Sequence, residues 1–241
     1  VRGVNMKLII RSIEKGFGNK KVLKGASMDF EKGNIYGLLG RNGAGKTTLF
    51  NCISGELKCD GGSITLEELG VENIKLDYSK IGYAFADPVL PEFLTGYEFL
   101  KFYIDINKDK IQDLRSIDEY FNIIKIEEDD RFRLIKGYSH GMKNKLQLLC
   151  FLITRPPVIL LDEPLSSFDV IVALEIKNLL KKIKSEHIII FSTHILQLAT
   201  DLCDEIVVLN NGVLEQIPQE ILKSPKFEEN IVDILKEEEH E

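Results

Sequence analysis

The chain has 241 residues, with 31 Lys plus Arg against 38 Asp plus Glu for a formal charge of −7, and 44% of its residues are hydrophobic. A chain of this length and composition buries a large core, which excludes a disulfide-dependent miniprotein and an intrinsically disordered protein. No charge-free apolar run reaches the roughly 18–20 residues that span a bilayer; the nearest, 146–161, is broken by Arg155, Pro156 and Pro157. The acidic balance argues against general nucleic-acid binding, and no nucleic-acid partner is expected. Cys52, Cys59, Cys150 and Cys203 are widely spaced without a CxxC pair, so they read as buried or half-buried thiols of a reducing compartment and not as zinc ligands. Residues 1–5 lack the charged start and apolar core of a signal peptide and Met6 is a candidate start, so a cytoplasmic chain is expected.

In chain order, strands are predicted at 7–13, 21–30, 34–39, 63–66 and 81–85, with turns at Gly18-Asn19, Lys32-Gly33-Asn34 and Asp60-Gly61-Gly62. One early helix, 46–54, is closed by Gly55. From about residue 88 to 155 the apolar spacing becomes helical. Thr95 caps a segment bearing Phe99, Leu100, Phe102 and Tyr103, a second helix covers 116–124, and Ser139 or Gly141 opens a long third. Apolar residues between 146 and 153 leave that third helix little polar face, so it is expected to be buried on several sides. After Pro156-Pro157, apolar strands at 158–161, 187–191 and 205–209 alternate with helices at 172–184 and 195–202, the wiring of an α/β protein with a parallel sheet. Residues 219–236 are amphipathic, and 237–241 form an acidic tail.

The strongest chemical signal is Gly40-Arg41-Asn42-Gly43-Ala44-Gly45-Lys46-Thr47, which fits GxxxxGK[ST] between a predicted strand and a predicted helix. Glycines there let successive backbone N–H groups turn inward around phosphate, and the helix start adds its positive end. In such a loop Lys46 reaches the β and γ phosphates and the Thr47 hydroxyl ligates Mg²⁺. The apolar strand 158–161 ends in Asp162-Glu163. Asp162 is placed to hold Mg²⁺, directly or through water, and Glu163 to orient or deprotonate an attacking water. His194 follows another apolar strand and lies at the same ligand-binding edge of an open α/β sheet.

Taken together, these residues resemble the ATP-binding subunit of an ABC transporter over about residues 7–217. Tyr138-Ser139-His140-Gly141-Met142 looks like the family's signature segment, usually Leu-Ser-Gly-Gly-Gln, Ser166-Ser167-Phe168-Asp169 resembles its D-loop, and Thr193-His194 its switch histidine. Phe17 stands where the family places an aromatic ring on adenine. The resemblance implies an α/β P-loop NTPase with a RecA-like core, an antiparallel β subdomain and an inserted α-helical subdomain. One domain is expected over 1–236: core and β subdomain over about 6–87 and 156–217, helical subdomain over 88–155, and a C-terminal helix over 218–236.

By the same resemblance, ATP is held by Phe17, Gly40, Asn42, Gly43, Ala44, Gly45, Lys46, Thr47 and Thr48, and Mg²⁺ by Thr47 and Asp162. Glu163, His194 and Lys46 are the catalytic residues it implies. Two subunits, identical or different, meet head to tail around two ATP molecules, each facing the other subunit's Ser139 and Gly141, with Asp169 joining the sites. Hydrolysis then drives a separate membrane-spanning subunit from the cytoplasmic side. The Tyr-Ser-x-Gly-Met form of the signature and the segment 94–100 look like the export-type branch.

Two departures stand out. His140 replaces the first signature glycine, which a helical backbone tolerates. Ala86 stands where the family usually places a glutamine that contacts Mg²⁺ and water; the adjacent Asp87 either substitutes for it or caps the next segment. Other readings of the chain are a nucleotide-sensing subunit that hydrolyses poorly because of Ala86, and a soluble ABC protein outside transport. The rings of Tyr97, Phe99, Phe102 and Tyr103 belong either to a core or to the groove that receives the membrane subunit; any that is exposed belongs to the groove.

Overall fold

The computed structural model describes residues 6–68, 76–164, 170–222, 224 and 227–236. Two long strands, β1 (Met6–Phe17) and β2 (Lys20–Glu31), open the chain around a two-residue turn at Gly18-Asn19. Both pair antiparallel, and β4 (Gly61–Glu68) joins the other side of β1 to make a three-stranded sheet. Along β1 the residues Met6, Leu8 and Ile10 are buried in strict alternation; the register then slips, Ser12 adopts φ 48°, and Ile13 returns to the buried face. One inserted residue thus keeps the apolar side inward beyond the point where period two would have lost it.

The second sheet has the order β5 (Ile81–Ala84), β6 (Val158–Leu161), β7 (Ile188–Thr193), β3 (Ile35–Leu39), β8 (Glu205–Asn210), β9 (Val213–Gln216). Its first five strands are parallel and β9 pairs antiparallel with β8. Every residue of β3, β6 and β7 is buried, as a sheet covered on both faces requires. On one face Ile188 and Ile190 pack with Leu8 and Phe30 of the antiparallel sheet and with Phe50 of α1 (Lys46–Ser54). On the other, Ile189 and Phe191 meet Ile176 of α6 (Val170–Ile183) and Leu202 of α7 (Leu196–Leu202).

Between β5 and β6 the chain forms α2 (Gly96–Asn107), α3 (Ile117–Ile124), α4 (Glu128–Arg131) and α5 (His140–Thr154). Capping boxes set two starts: Thr95 with Glu98 for α2 and Ser116 with Glu119 for α3. These helices own a separate core around Leu100, Phe121, Ile135 and Leu149, while Leu148 and Phe151 on another side of α5 pack into the sheet core. α5 therefore belongs to both bodies and fixes one against the other.

Several expectations are corrected. The turn assigned to Asp60-Gly61-Gly62 is the start of β4, and a Cβ on Gly62 would lie 2.4 Å from the carbonyls of Arg11 and Ser12, so its glycine serves close strand approach at the β1 irregularity. The sheet is not purely parallel: β9, in a stretch where no strand is expected from sequence, pairs antiparallel with β8. The C-terminal helix expected over 218–236 is two helices, α8 (Gln219–Leu222) and α9 (Phe227–Lys236), separated where the sequence has Pro225, which lacks a backbone donor. Of the four insert rings singled out above, Phe99 is buried, Tyr97 and Tyr103 are half-buried and Phe102 is exposed. Cys52 and Cys150 are buried, Cys59 and Cys203 half-buried, and all four are free.

Candidate nucleotide-binding site

β3 ends at Leu39 in the middle of the sheet, and residues 40–45 turn the chain back into α1. Gly43 and Gly45 take φ 81° and 107°, and a Cβ on Gly45 would sit 2.6 Å from Val22 Cγ1. Conformation demands glycine at both positions, and crowding demands it at Gly45 as well. Ala44 N–H donates to the Arg41 carbonyl at 3.1 Å, closing the loop on itself. Lys46 is only 7% exposed, and its ammonium donates to the carbonyls of Gly40 at 2.7 Å and Arg41 at 3.3 Å. Burial lowers its pKa, opposed by the carboxylates of Glu163 and Asp162. An ammonium held this way can exchange loop carbonyls for the oxygens of an anion seated in the loop.

β6 and β7 end beside β3 and carry the acidic partners. Asp162, 3% exposed, accepts from Thr47 Oγ1 at 2.7 Å on one oxygen and from Ser192 Oγ at 2.5 Å on the other. Ser192 Oγ in turn accepts from the Glu163 N–H at 2.9 Å. Glu163 has φ 49°, its Oε1 lies 3.9 Å from Lys46 Nζ, and its Oε2 lies 3.0 Å from His194 Nδ1. Three neighbouring parallel strands thus deliver a lysine, two carboxylates and a histidine to one edge of the sheet, where open α/β sheets bind ligands.

A cleft of about 440 Å³ opens there, lined by Phe17, Lys20, Val22, Asn42, Gly43, Gly45, Lys46, Thr47, Thr48, Asp162 and Glu163. Phe17, at the end of β1, is 52% exposed with Lys15 Nζ 5.7 Å from its ring centroid, so one face of the ring is open to a planar group. The oxygen donors of Thr47 and Asp162 are the ligand type that Mg²⁺ prefers, and they already meet across the cleft floor.

Among the residues singled out from sequence, Gly40 and Ala44 brace the loop from behind. His194 reaches the cleft through Glu163. Ser139 is the N-cap of α5, accepting from Met142 N–H at 3.2 Å, and with Gly141 it lies outside this cleft. Asp169 lies outside the described residues. Asp87 caps nothing: its carboxylate is fully exposed, 4.0 Å from His140 Nδ1, and α2 is capped by Thr95. One residue escaped the sequence reading. Ser192 bridges Asp162 to the Glu163 backbone, and the only sign of it was a hydroxyl at the end of an apolar strand.

A covered, mainly parallel sheet with a glycine loop, a buried lysine and strand-end carboxylates defines a P-loop nucleotide-hydrolysing domain. The profile of the family described as ABC transporter matches residues 23–166. The chain is 32% identical over 211 residues to an uncharacterised ABC transporter ATP-binding protein, YdbJ of Bacillus subtilis, covering 86% of this chain and 68% of that one. It is 31% identical over 228 residues to the sulfate/thiosulfate import ATP-binding protein CysA of Bacillus cereus, covering 91% of this chain and 64% of that one. A solved ATP-binding subunit of an ABC transporter superposes with a TM-score of 0.78 at 25% identity, covering 95% of this chain and 99% of that one. The chain belongs to the ABC transporter family as an ATP-binding, ATP-hydrolysing subunit.

Proposed function

We propose that the chain binds Mg-ATP in the 440 Å³ cleft and uses its hydrolysis to drive a separate membrane-spanning subunit. Phe17 offers its open ring face to the base, the loop amides and the start of α1 receive the phosphates, and Lys46 turns from the loop carbonyls to the terminal phosphates. Thr47 and Asp162 would hold Mg²⁺, which supplies positive charge against the phosphate oxygens. Glu163 takes the proton of the attacking water, and His194, 3.0 Å from its carboxylate, holds that side chain toward the cleft.

The observation that carries this reading is Glu163 between Lys46 and His194 at the cleft rim, which also favours turnover over a purely sensing subunit. Ser139 and Gly141, at the exposed to half-buried start of α5, are read as the surface for a partner subunit's nucleotide. For the membrane partner, the exposed ring of Phe102 on the helical insert supports a docking groove. Among the described residues no helix is long and apolar enough to cross a membrane. The position proposed is the cytoplasmic face of the membrane. CysA is by name an import protein, so direction is assigned to the membrane partner and not to this chain.

The test compares wild type with Glu163→Gln. Wild type is expected to release phosphate from Mg-ATP; the variant should bind ATP, keep it intact and run as a dimer on size exclusion. A variant that hydrolyses at the wild-type rate removes Glu163 from the reaction, and one that stays monomeric with Mg-ATP removes the head-to-tail pairing of subunits around ATP.

A further inference from the structure

Beside the nucleotide cleft lies a second one of about 360 Å³, lined by the cations Lys20, Lys21, Lys24 and Arg41, with no acidic residue among the described residues of its lining. In a chain with a formal charge of −7 this is a local concentration of positive charge, and a concavity of that sign attracts anions. The two clefts share Lys20, Asn42 and Gly43, so whatever fills the second sits against the phosphate loop. Asn211 and Gly212, the turn between β8 and β9, complete its wall. Lys24 N–H donates to the Gly212 carbonyl at 2.8 Å, which ties that turn to β2.

The same corner of the molecule anchors α9. Phe227 and Ile231 are buried with Val208 of β8 and with Leu39, the last residue before the phosphate loop. Asn210, next in the chain to Asn211, donates from Nδ2 to the Ile234 carbonyl at 2.9 Å. The helix is thereby pinned near its C-terminal end, one residue from the cleft wall. Glu237, Glu238, Glu239 and Glu241 follow in the sequence and lie outside the described residues. At the extended-chain rise, their positions lie within about 10–25 Å of the Ile234 anchor. We propose that the basic cleft is the docking site of this chain's own acidic segment, residues 237–241, and that a docked segment weakens nucleotide binding next door. Four carboxylates meet four cations and set negative charge beside the loop that receives phosphate. Attachment through α9 makes the encounter intramolecular and raises the effective concentration of this occupant above that of a second copy. By linkage, nucleotide weakens docking by the same factor as docking weakens nucleotide. The inference rests on the reading of the neighbouring cleft as the nucleotide site.

Two readouts on the full chain test this. Zero-length carbodiimide coupling, with the joined peptides identified by mass spectrometry, is expected to link Lys20, Lys21 or Lys24 to residues 237–241 within one chain, at a yield independent of protein concentration and reduced by ADP. The second readout is ADP affinity by calorimetry, since ADP keeps hydrolysis and ATP-driven pairing out of the measurement. A quadruple variant, Glu237→Gln, Glu238→Gln, Glu239→Gln and Glu241→Gln, should bind ADP about fivefold more tightly than wild type at low salt, the scale for a few screened charges near the site. The advantage should vanish at about 0.5 M salt. In a Lys21→Gln, Lys24→Gln background the same four substitutions should leave ADP affinity within about twofold, because the docking site through which they act is gone; a general charge effect would persist there. Absence of the intrachain links, or a yield that rises with protein concentration as contact between copies requires, overturns the proposal. So does ADP affinity unmoved by the quadruple substitution, or moved equally in the Lys21→Gln, Lys24→Gln background. A wild type that binds no ADP overturns instead the nucleotide reading, while the intrachain links still decide whether the segment docks.

Discussion

Glu163 sits in the left-handed region with φ 49°, where a side chain costs about 1–2 kcal/mol relative to glycine. That strain points its carboxylate between Lys46 and His194. Comparing Glu163→Gly with Glu163→Ala isolates the backbone, since both lose the carboxylate. The glycine variant is expected to be more stable by about 1 kcal/mol in urea unfolding, and neither should hydrolyse ATP. Lys46→Ala should abolish phosphate release and weaken nucleotide binding, measured by titration, by about 2–5 kcal/mol because the lost charge is desolvated. The loop and Lys46 were legible in the sequence because their chemistry is contiguous over eight residues. Ser192 was not, because its role exists only once β7 lies beside β6, bringing together residues 30 apart in the chain.

At the scale of elements, two contacts decide how the pieces are held. Gly96 opens α2 directly against the Tyr138 hydroxyl, which donates to the Asp130 carbonyl at 2.7 Å; a Cβ there would approach that hydroxyl to 2.1 Å. Gly96→Ala must therefore push Tyr138 aside and with it the neighbouring Ser139 cap. An overpacking cost of about 1–3 kcal/mol is expected in chemical denaturation, together with slower hydrolysis. His187, 3% exposed just before β7, has Nδ1 2.7 Å from the Pro156 carbonyl before β6. Burial lowers its pKa from the usual 6.5. The unfolded chain then binds more protons than the folded one just below pH 6.5, so this residue's contribution to stability is complete above that pH and falls as acid is added, by at most about 1.4 kcal/mol per pH unit. Melting curves between pH 7 and 5 should show this fall (about two pH units of scan), and His187→Gln should flatten it. The helices of the insert were legible through their caps, Thr95 and Ser116. The division of the C-terminal stretch was legible only as Pro225, which an amphipathic pattern running through it concealed.

For the whole molecule, strand order matters more than strand content. The alternation of apolar strands and helices after residue 156 gave the class of fold, but nothing local reveals that β3 lies between β7 and β8. Ile35 pairs with Ile189, and Tyr36 with Glu205. The glycine loop is thus suspended from a strand whose neighbours are encoded more than 150 residues later. Vectorial synthesis makes this a question of timing. A growing chain displays its phosphate loop early, yet the strand that carries the loop lacks both sheet neighbours until the β7 and β8 segments have left the ribosome, and contacts so distant in sequence form slowly. Chains stopped after residue 187 are expected to capture no ATP on nucleotide resin, whereas chains stopped after residue 217 should. Newly made copies consequently stay nucleotide-blind, and unable to engage a partner through ATP, until the segment of β8 has been translated.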